Sequence, residues 1–501
     1  MPNPTAAERN SVARNAKLNL IGSVIPICVT LATVPPYLKI IGDVRFGVLA
    51  LIWVFLGYFG IFDMGLGRAT SKYLAEIGPG NSREAVFWTA GLVNLAFGVV
   101  GGLLLLVGAR ATMSYWLKAE VAIQAEALRG LIWLAIAVPM ATLTSVLIGA
   151  LEGCEQFGVV NVQQIGATTA IQVIPLAIAY RFGPRIDTLL AAVTLTRMAA
   201  NIPLLLACAK YVPLRSFPAI DKQWIRSLFS YGGWITISGI VGPLLLTSAD
   251  RAVIGFVQGP QAVTYFSIPY NFANRLAILP ASIGRALFPR FSAQSPEEAR
   301  ELANRAILSL AAVMTPIVVI TLFAVQPFFR WWIGAAAAGR STFACELMLL
   351  GIWMNSIGWV PSIFVQGQGR PDLTAKVHVI EVLPFLGLLW AGTYYMGVPG
   401  AAAAWALRMV LDTGLLILMA EMTRAVALRL LPSILVVVVA FAAAVMAGQH
   451  VGVRLLLAGG IGLASLLIAH ATSPETTWIA LREGGLMSGT RKDGAVARFR
   501  Q

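Results

Sequence analysis

Charge is scarce in this chain. Asp, Glu, Lys and Arg make up 12% of its 501 residues, about half the 25% that soluble domains carry. Spread over about three or four domains of ordinary size, so few charges would leave most of each surface uncovered. A soluble multidomain protein is excluded, and a surface that faces lipid accounts for the deficit. Histidine is rarer still: His378, His450 and His470 are the only three, and none is paired at metal spacing. Cys28, Cys154, Cys208 and Cys345 stand alone in or beside apolar runs. With no C-x-x-C among them, neither a disulfide framework nor a zinc site is indicated. The phosphate loop G-x-x-x-x-G-K-[ST] is missing, which removes ATP hydrolysis in its usual form. No loop is long enough to hold a folded catalytic domain, and no cofactor motif occurs. An enzyme is not indicated; secondary transport or lipid translocation is the economical class.

What the chain has instead is apolar length. Hydrophobic residues reach 58% and the mean hydropathy is +0.77. A helix needs roughly 20 apolar residues to cross the hydrocarbon, and fourteen such segments can be read between polar breaks. They include 18–41, 46–66, 187–209, 232–256, 262–284, 374–396 and 399–420. The expected fold is an all-α polytopic membrane protein of about 14 transmembrane helices. Arg9, Arg14 and Lys17 before the first apolar run resemble a signal peptide, but the run is too long for an h-region and lacks a small-residue cleavage site. It reads as the first membrane helix.

The formal charge of +14 and pI near 10.0 raise the question of nucleic acid. The basic residues are dispersed singly between apolar runs rather than gathered in a stripe, so no nucleic-acid partner is expected. They orient the chain instead. The N-terminus, the even-numbered loops and the tail hold about 23 of the 37 Lys and Arg, the odd-numbered loops about 10, and Arg197, Arg251, Arg275 and Arg408 lie inside spans. Both termini are therefore expected in the cytoplasm, with an even number of crossings.

A repeat is visible. Gly42 and Gly67 flank the second span, and Gly259 and Gly284 flank the eighth, each pair 25 residues apart and offset by 217. The second span is expected to end at Leu66-Gly67-Arg68-Ala69 and the eighth at Ile283-Gly284-Arg285-Ala286. A six-helix duplication follows: a cytoplasmic N-terminus (1–17), an N-lobe (18–210), an inter-lobe loop (211–231), a C-lobe (232–421), two added helices (422–472) and a basic tail (473–501). The lobes would be related by an axis along the membrane normal, as in parallel-repeat transporters. Prolines inside spans of both lobes, among them Pro35, Pro139, Pro203, Pro269, Pro280 and Pro361, favour helices that bend.

Charges inside spans carry the functional signal, because each costs on the order of 3 kcal/mol at the bilayer centre and so faces a partner or a cavity. Arg408 and Asp412 stand i,i+4 and can pair with each other. Arg197 and Arg275 have no acid three or four residues away, and lie about 15 Å and 20 Å from the outer ends of their helices. Asp250 and Arg251 are sequence neighbours that point to different faces; Asp250 could pair with Arg275 instead. Asp63 sits near the inner end of its span, and Glu346 and Glu381 are close enough to helix ends to snorkel. The excess of arginine over acid predicts a cationic lumen, which suits an anionic substrate because guanidinium matches phosphate oxygens two at a time.

The run Pro35-Pro36-Tyr37-Leu38…Gly42…Phe46-Gly47…Phe62-Asp63-Met64-Gly65-Leu66-Gly67-Arg68-Ala69 resembles the opening of bacterial polysaccharide-repeat flippases of the Wzx type. Ser248-Ala249-Asp250-Arg251-Ala252-Val253-Ile254-Gly255 with Tyr265 resembles that family's junction of helices 7 and 8, and Ala286-Leu287-Phe288-Pro289-Arg290 its exit from helix 8. The resemblance implies two six-helix lobes around a cavity that opens to each side in turn. It implies an undecaprenyl-diphosphate-linked oligosaccharide moved to the periplasmic leaflet of the inner membrane, for O-antigen, capsule or exopolysaccharide synthesis. Expected partners are that lipid-linked substrate, membrane lipid, a polysaccharide polymerase and a chain-length regulator. Arg275, Arg197, Arg251 and Arg408 are the candidate substrate-binding residues, and Asp63, Asp250 and Asp412 the candidates for ion coupling. Two alternatives stand beside it: an ion-coupled drug exporter of the same fold, and a membrane glycan polymerase or acyltransferase.

Overall fold

The computed structural model describes residues 6–58, 62–77, 81–116, 119–212, 219–229 and 249–472. Among these residues there is no strand, and fourteen α-helices follow one another. They are α1 (Ala6–Tyr58), α2 (Leu66–Glu76), α3 (Asn81–Trp116), α4 (Val121–Gly153), α5 (Phe157–Phe182), α6 (Ile186–Tyr211), α7 (Ala249–Gln258), α8 (Pro260–Ala273), α9 (Ile278–Ala293), α10 (Pro296–Trp332), α11 (Ala335–Gly367), α12 (Pro371–Met419), α13 (Arg424–Ala447) and α14 (Val451–Thr472). Nine of the described helices are long and apolar enough to cross a membrane. The chain is an all-α polytopic membrane protein. Most of the expected seventh span, part of the inter-lobe loop and the basic tail lie outside the described residues.

Helices and spans do not correspond one to one. α1 consists of two helices joined at Gly42, whose φ of 76° and ψ of 166° leave the helical region. α12 likewise contains two, joined at Gly397 with φ 64°. Both are turns only glycine takes without strain. The second span does not end at Leu66-Gly67-Arg68-Ala69, as the sequence suggests. The chain turns through Met64 and Gly65, both at positive φ, and Leu66 opens a separate helix, α2. The eighth span is also broken, by a 3₁₀ turn at Asn274–Ala277. Pro280 explains the position of that break, since its ring excludes the carbonyl four residues back, on Leu276. Beyond it α9 continues to Ala293, so Gly284 and Arg285 lie within a helix rather than at its end. Gly42 and Gly259 both have positive φ and each joins two helices.

Two compact units form, one of Met1–Ser267 with Leu386–Ala401, the other of Ile268–Phe385 with Ala402–Gln501. The core of the first is built from Leu66, Leu74, Val86, Phe87, Leu147, Leu151 and Leu204, all buried. Here α2 crosses α4 at backbone distance. A Cβ on Gly67 would stand 2.1 Å from Ser145 Oγ, one on Gly149 2.0 Å from the Gly67 carbonyl, and one on Gly153 2.6 Å from that of Ser71. Ser145, Gly149 and Gly153 recur every four residues, the small-residue row that lets membrane helices touch. In the same unit the α7–α8 turn docks on the Gly42 turn. Asp43 accepts from Gln261 Nε2 at 2.6 Å and from the Tyr265 hydroxyl at 2.5 Å, and its carbonyl accepts from Thr264 Oγ1 at 2.6 Å.

The second unit packs α10 against α11, with Trp353 buried and donating to Thr315 Oγ1 at 3.0 Å. α14 is held to it by Arg454, which is 2% exposed. That side chain donates to Glu346 at 2.8 Å and to the carbonyls of Leu322, Ala444 and Gly448.

Candidate functional site

The α2–α4 crossing forms one wall of a cavity of about 440 Å³ inside the first unit. α5 and α6 close it, and its polar lining is Arg68, Thr144, Ser145, Glu152, Gln163, Gln164, Arg197 and Asn201. Most of this lining is already engaged. Asn201 accepts from Thr144 Oγ1 at 2.7 Å and donates to the Met140 carbonyl, while Gln163 donates to the Ala200 carbonyl at 2.8 Å. The Arg68 charge acts on both Asp63 and Glu152. Arg197 differs. Its Nε is buried with no hydrogen-bond partner, and no carboxylate pairs with it among the described residues. A buried donor without an acceptor is costly, and the residue that carries it lines the cavity. An anion entering the cavity would satisfy it.

Asp63 is held at the edge of this site. It lies just before α2, accepts from Asn94 Nδ2 at 2.8 Å and is hydrogen-bonded to Ser145, a residue of the cavity wall. Asn94 and Thr142 lock α3 to α4 by reciprocal bonds, Nδ2 to the Thr142 carbonyl and Oγ1 to the Asn94 carbonyl.

A second constellation occupies the α12 hairpin in the other unit. Arg408 does not take its ion pair from the sequence neighbourhood: it reaches across to Glu381 at 3.4 Å and lies over the Phe385 ring. Asp412 has its own partner, His378, at 3.7 Å. The Glu381 and Asp412 carboxyls lie close enough to act on each other electrostatically, and Glu381 Oε1 and Asp412 Oδ1 have no hydrogen-bond partner among the described residues. Glu346 and Glu381 do not snorkel, as their positions suggested; they are 2% and 6% exposed and each is paired with arginine.

The remaining candidates are scattered. Arg275 sits exposed in the 3₁₀ turn between α8 and α9. Asp250 is fully buried at the start of α7, its Oδ1 accepting from the Arg251 backbone N–H at 2.6 Å, and Arg251 Nε donates to Ser267 Oγ at 3.1 Å. Arg197 and Asp63 thus belong to one site, and Arg408 and Asp412 to another. Arg68, Glu152, His378 and Glu381 were not among the sequence candidates. The i,i+3 spacing of His378 and Glu381 within an apolar span was the signal available for the last two.

A family model described as "Polysaccharide biosynthesis protein" matches residues 12–295, more than half of the chain. A Shigella flexneri protein named "Putative O-antigen transporter" is 28% identical over 408 residues, covering 81% of this chain and 97% of that protein. Among solved structures, the lipid II flippase MurJ in an inward closed conformation aligns with a TM-score of 0.68 at 12% identity, over 94% of this chain and 99% of that one. An inward-facing multidrug resistance MATE family transporter of the MOP superfamily aligns at 0.63 and 14% identity, over 82% and 98%. At these identities the likeness is one of fold, an all-α polytopic bundle.

Proposed function

The chain belongs to the polysaccharide biosynthesis protein family, and from that membership we propose that it flips an undecaprenyl-diphosphate-linked oligosaccharide across the bacterial inner membrane. The substrate would enter from the cytoplasmic leaflet, leave in the periplasmic one by alternating access, and feed O-antigen, capsule or exopolysaccharide synthesis. No bond of the substrate changes, so the protein acts as a transporter rather than an enzyme, with both termini cytoplasmic. A polymerase and a chain-length regulator are its natural partners downstream.

The observation that carries this reading is Arg197, a half-buried arginine on the cavity wall whose Nε has no acceptor and which has no ion pair among the described residues. A diphosphate supplies the missing acceptor, with Arg68, Glu152 and Asp63 balancing one another nearby. Arg251, Arg275 and Arg408 remain candidates for later positions along the path. Ion coupling is assigned to the Glu381–Asp412 carboxyl pair in preference to Asp63 or Asp250, because one proton more or less there changes the charge beside Arg408 and His378.

Deletion of the gene tests the class. A lost flippase leaves lipid-linked units on the cytoplasmic leaflet, a lost polymerase leaves single units on the periplasmic leaflet, and a lost drug exporter leaves neither. Within the flippase class, Arg197→Gln is expected to block export in protein that still inserts, whereas Arg197→Lys retains part of it because a point charge still attracts phosphate. Full export by Arg197→Gln would remove the cavity from the path.

A further inference from the structure

Behind the cavity, α5 and α6 form a second depression of about 890 Å³. Its walls are Gly158, Val162, Gly166, Ala170 and Ile174 on α5, with Leu195, Ala199 and Pro203 on α6. The α5 residues recur every four positions, so they form one row along the helix. At about 1.5 Å per residue that row is about 24 Å long, most of the roughly 30 Å hydrocarbon thickness. Glycine and alanine at four of these eight positions hollow the surface into a groove. It opens to the outside of the chain: Val162 is 67% and Leu195 52% exposed, and Ile202 and Leu206 continue the apolar face along α6.

Gln163, Ala167 and Ala200 line both spaces. The groove therefore adjoins the cavity at these three residues, and Arg197 lines the cavity but not the groove.

We propose that this groove seats the hydrocarbon tail of a polyprenyl diphosphate whose phosphates rest on Arg197. The inference builds on the flippase reading by assigning its lipid a place. An anionic head joined to a long apolar chain fits two adjoining spaces, one lined by Arg197, which has no ion pair among the described residues, and one apolar and elongated. Ordinary phospholipid shares the anion and the tails, and is the competing occupant to be separated by experiment.

The test uses the full chain in phosphatidylcholine nanodiscs, titrated with undecaprenyl diphosphate and with farnesyl diphosphate as a short-tailed probe. Gly166→Phe fills the groove from α5, and a Cβ at that position meets nothing within 4 Å. Ala199→Phe fills it from α6 and guards against misfolding of the first variant. Wild-type protein is expected to bind the long diphosphate at least about tenfold more tightly than the short one. Both groove variants should erase that preference while farnesyl diphosphate still binds, and Arg197→Gln should weaken both probes alike. Retention of the chain-length preference in both Phe variants would overturn the groove assignment while leaving the head site standing. No effect of Arg197→Gln on either probe would instead remove the head site, and with it the cavity's part in the flippase reading. Phosphatidylglycerol competing as well as undecaprenyl diphosphate would show an ordinary lipid contact and also overturn the assignment.

Discussion

Asp43 shows how much one carboxylate is asked to do at the turn between the first two spans. Burial pushes its carboxyl up, but bonds from Gln261, Tyr265 and the Val44 N–H outweigh that and hold it below the usual carboxylate range. The sign of the pH dependence follows. A depressed carboxyl contributes its full stability above the ordinary value near about 3.9, and loses it as pH falls through the folded value. Asp43→Asn is expected to cost about 1 kcal/mol at neutral pH, since the group is only partly shielded. In thermal melts, the difference between wild type and Asp43→Asn should shrink as pH drops below about 4. A constant difference across that range would show that the carboxylate charge is not what the turn uses. Legibility at this scale depended on whether a residue's partner lay nearby in sequence. Arg197 stood out because it had no acid one turn away, and among the described residues no acid pairs with it in space. Arg408 seemed matched with Asp412, yet its ion pair comes from Glu381, 27 residues back across a helix hairpin, a pairing no local spacing encodes.

Elements are held by two different devices, and each predicts a different failure. Where α2 crosses α4 there is no room for side chains at Gly67 or Gly149. Gly149→Leu is expected to separate the helices, lower stability by about 1–3 kcal/mol and distort the cavity wall carrying Ser145. Reduced survival of the variant in a detergent heat challenge, with poorer export, would be the reading; unchanged behaviour would mean the crossing can slide. α14 is instead tied by a buried charge. Removing Arg454 leaves Glu346 without its cation, which costs about 3–5 kcal/mol for a buried pair. Arg454→Met should therefore be severely destabilised, and adding Glu346→Leu should recover much of the loss. If the double variant is as poor as the single one, the carbonyl contacts of Arg454 matter more than its charge. Breaks within elements were harder to foresee than the elements themselves. Pro280 was visible, but that it would produce a 3₁₀ turn carrying Arg275 depends on packing around the helix; Met64 and Gly65 gave no apolar interruption to mark the start of α2.

At the scale of the whole molecule, hydropathy made the fold class readable because lipid permits only closed hydrogen bonding, and in helices that bonding is local. What hydropathy leaves to charge is orientation. The basic residues predict both termini on the cytoplasmic side, and the glycine turns supply an independent argument. Gly42 and Gly259 are 217 residues apart, each at positive φ between two helices. If they are equivalents in a six-helix repeat, six crossings separate them and both face the same side, as does Gly397, a further even number of crossings along. Reporter fusions inserted after Val44 and after Gly397 should then both report periplasm, while fusions at Gln294 and Gln501 report cytoplasm. The repeat and the charge count make this prediction separately and fail separately. A periplasmic signal at Gln501 with the glycine turns still alike would overturn the number of later crossings but leave the repeat. Opposite signals at Val44 and Gly397 would instead break the even spacing between these turns. A cytoplasmic signal at both, with Gln501 periplasmic, would invert the whole chain and show that its twofold excess of basic residues does not set the orientation.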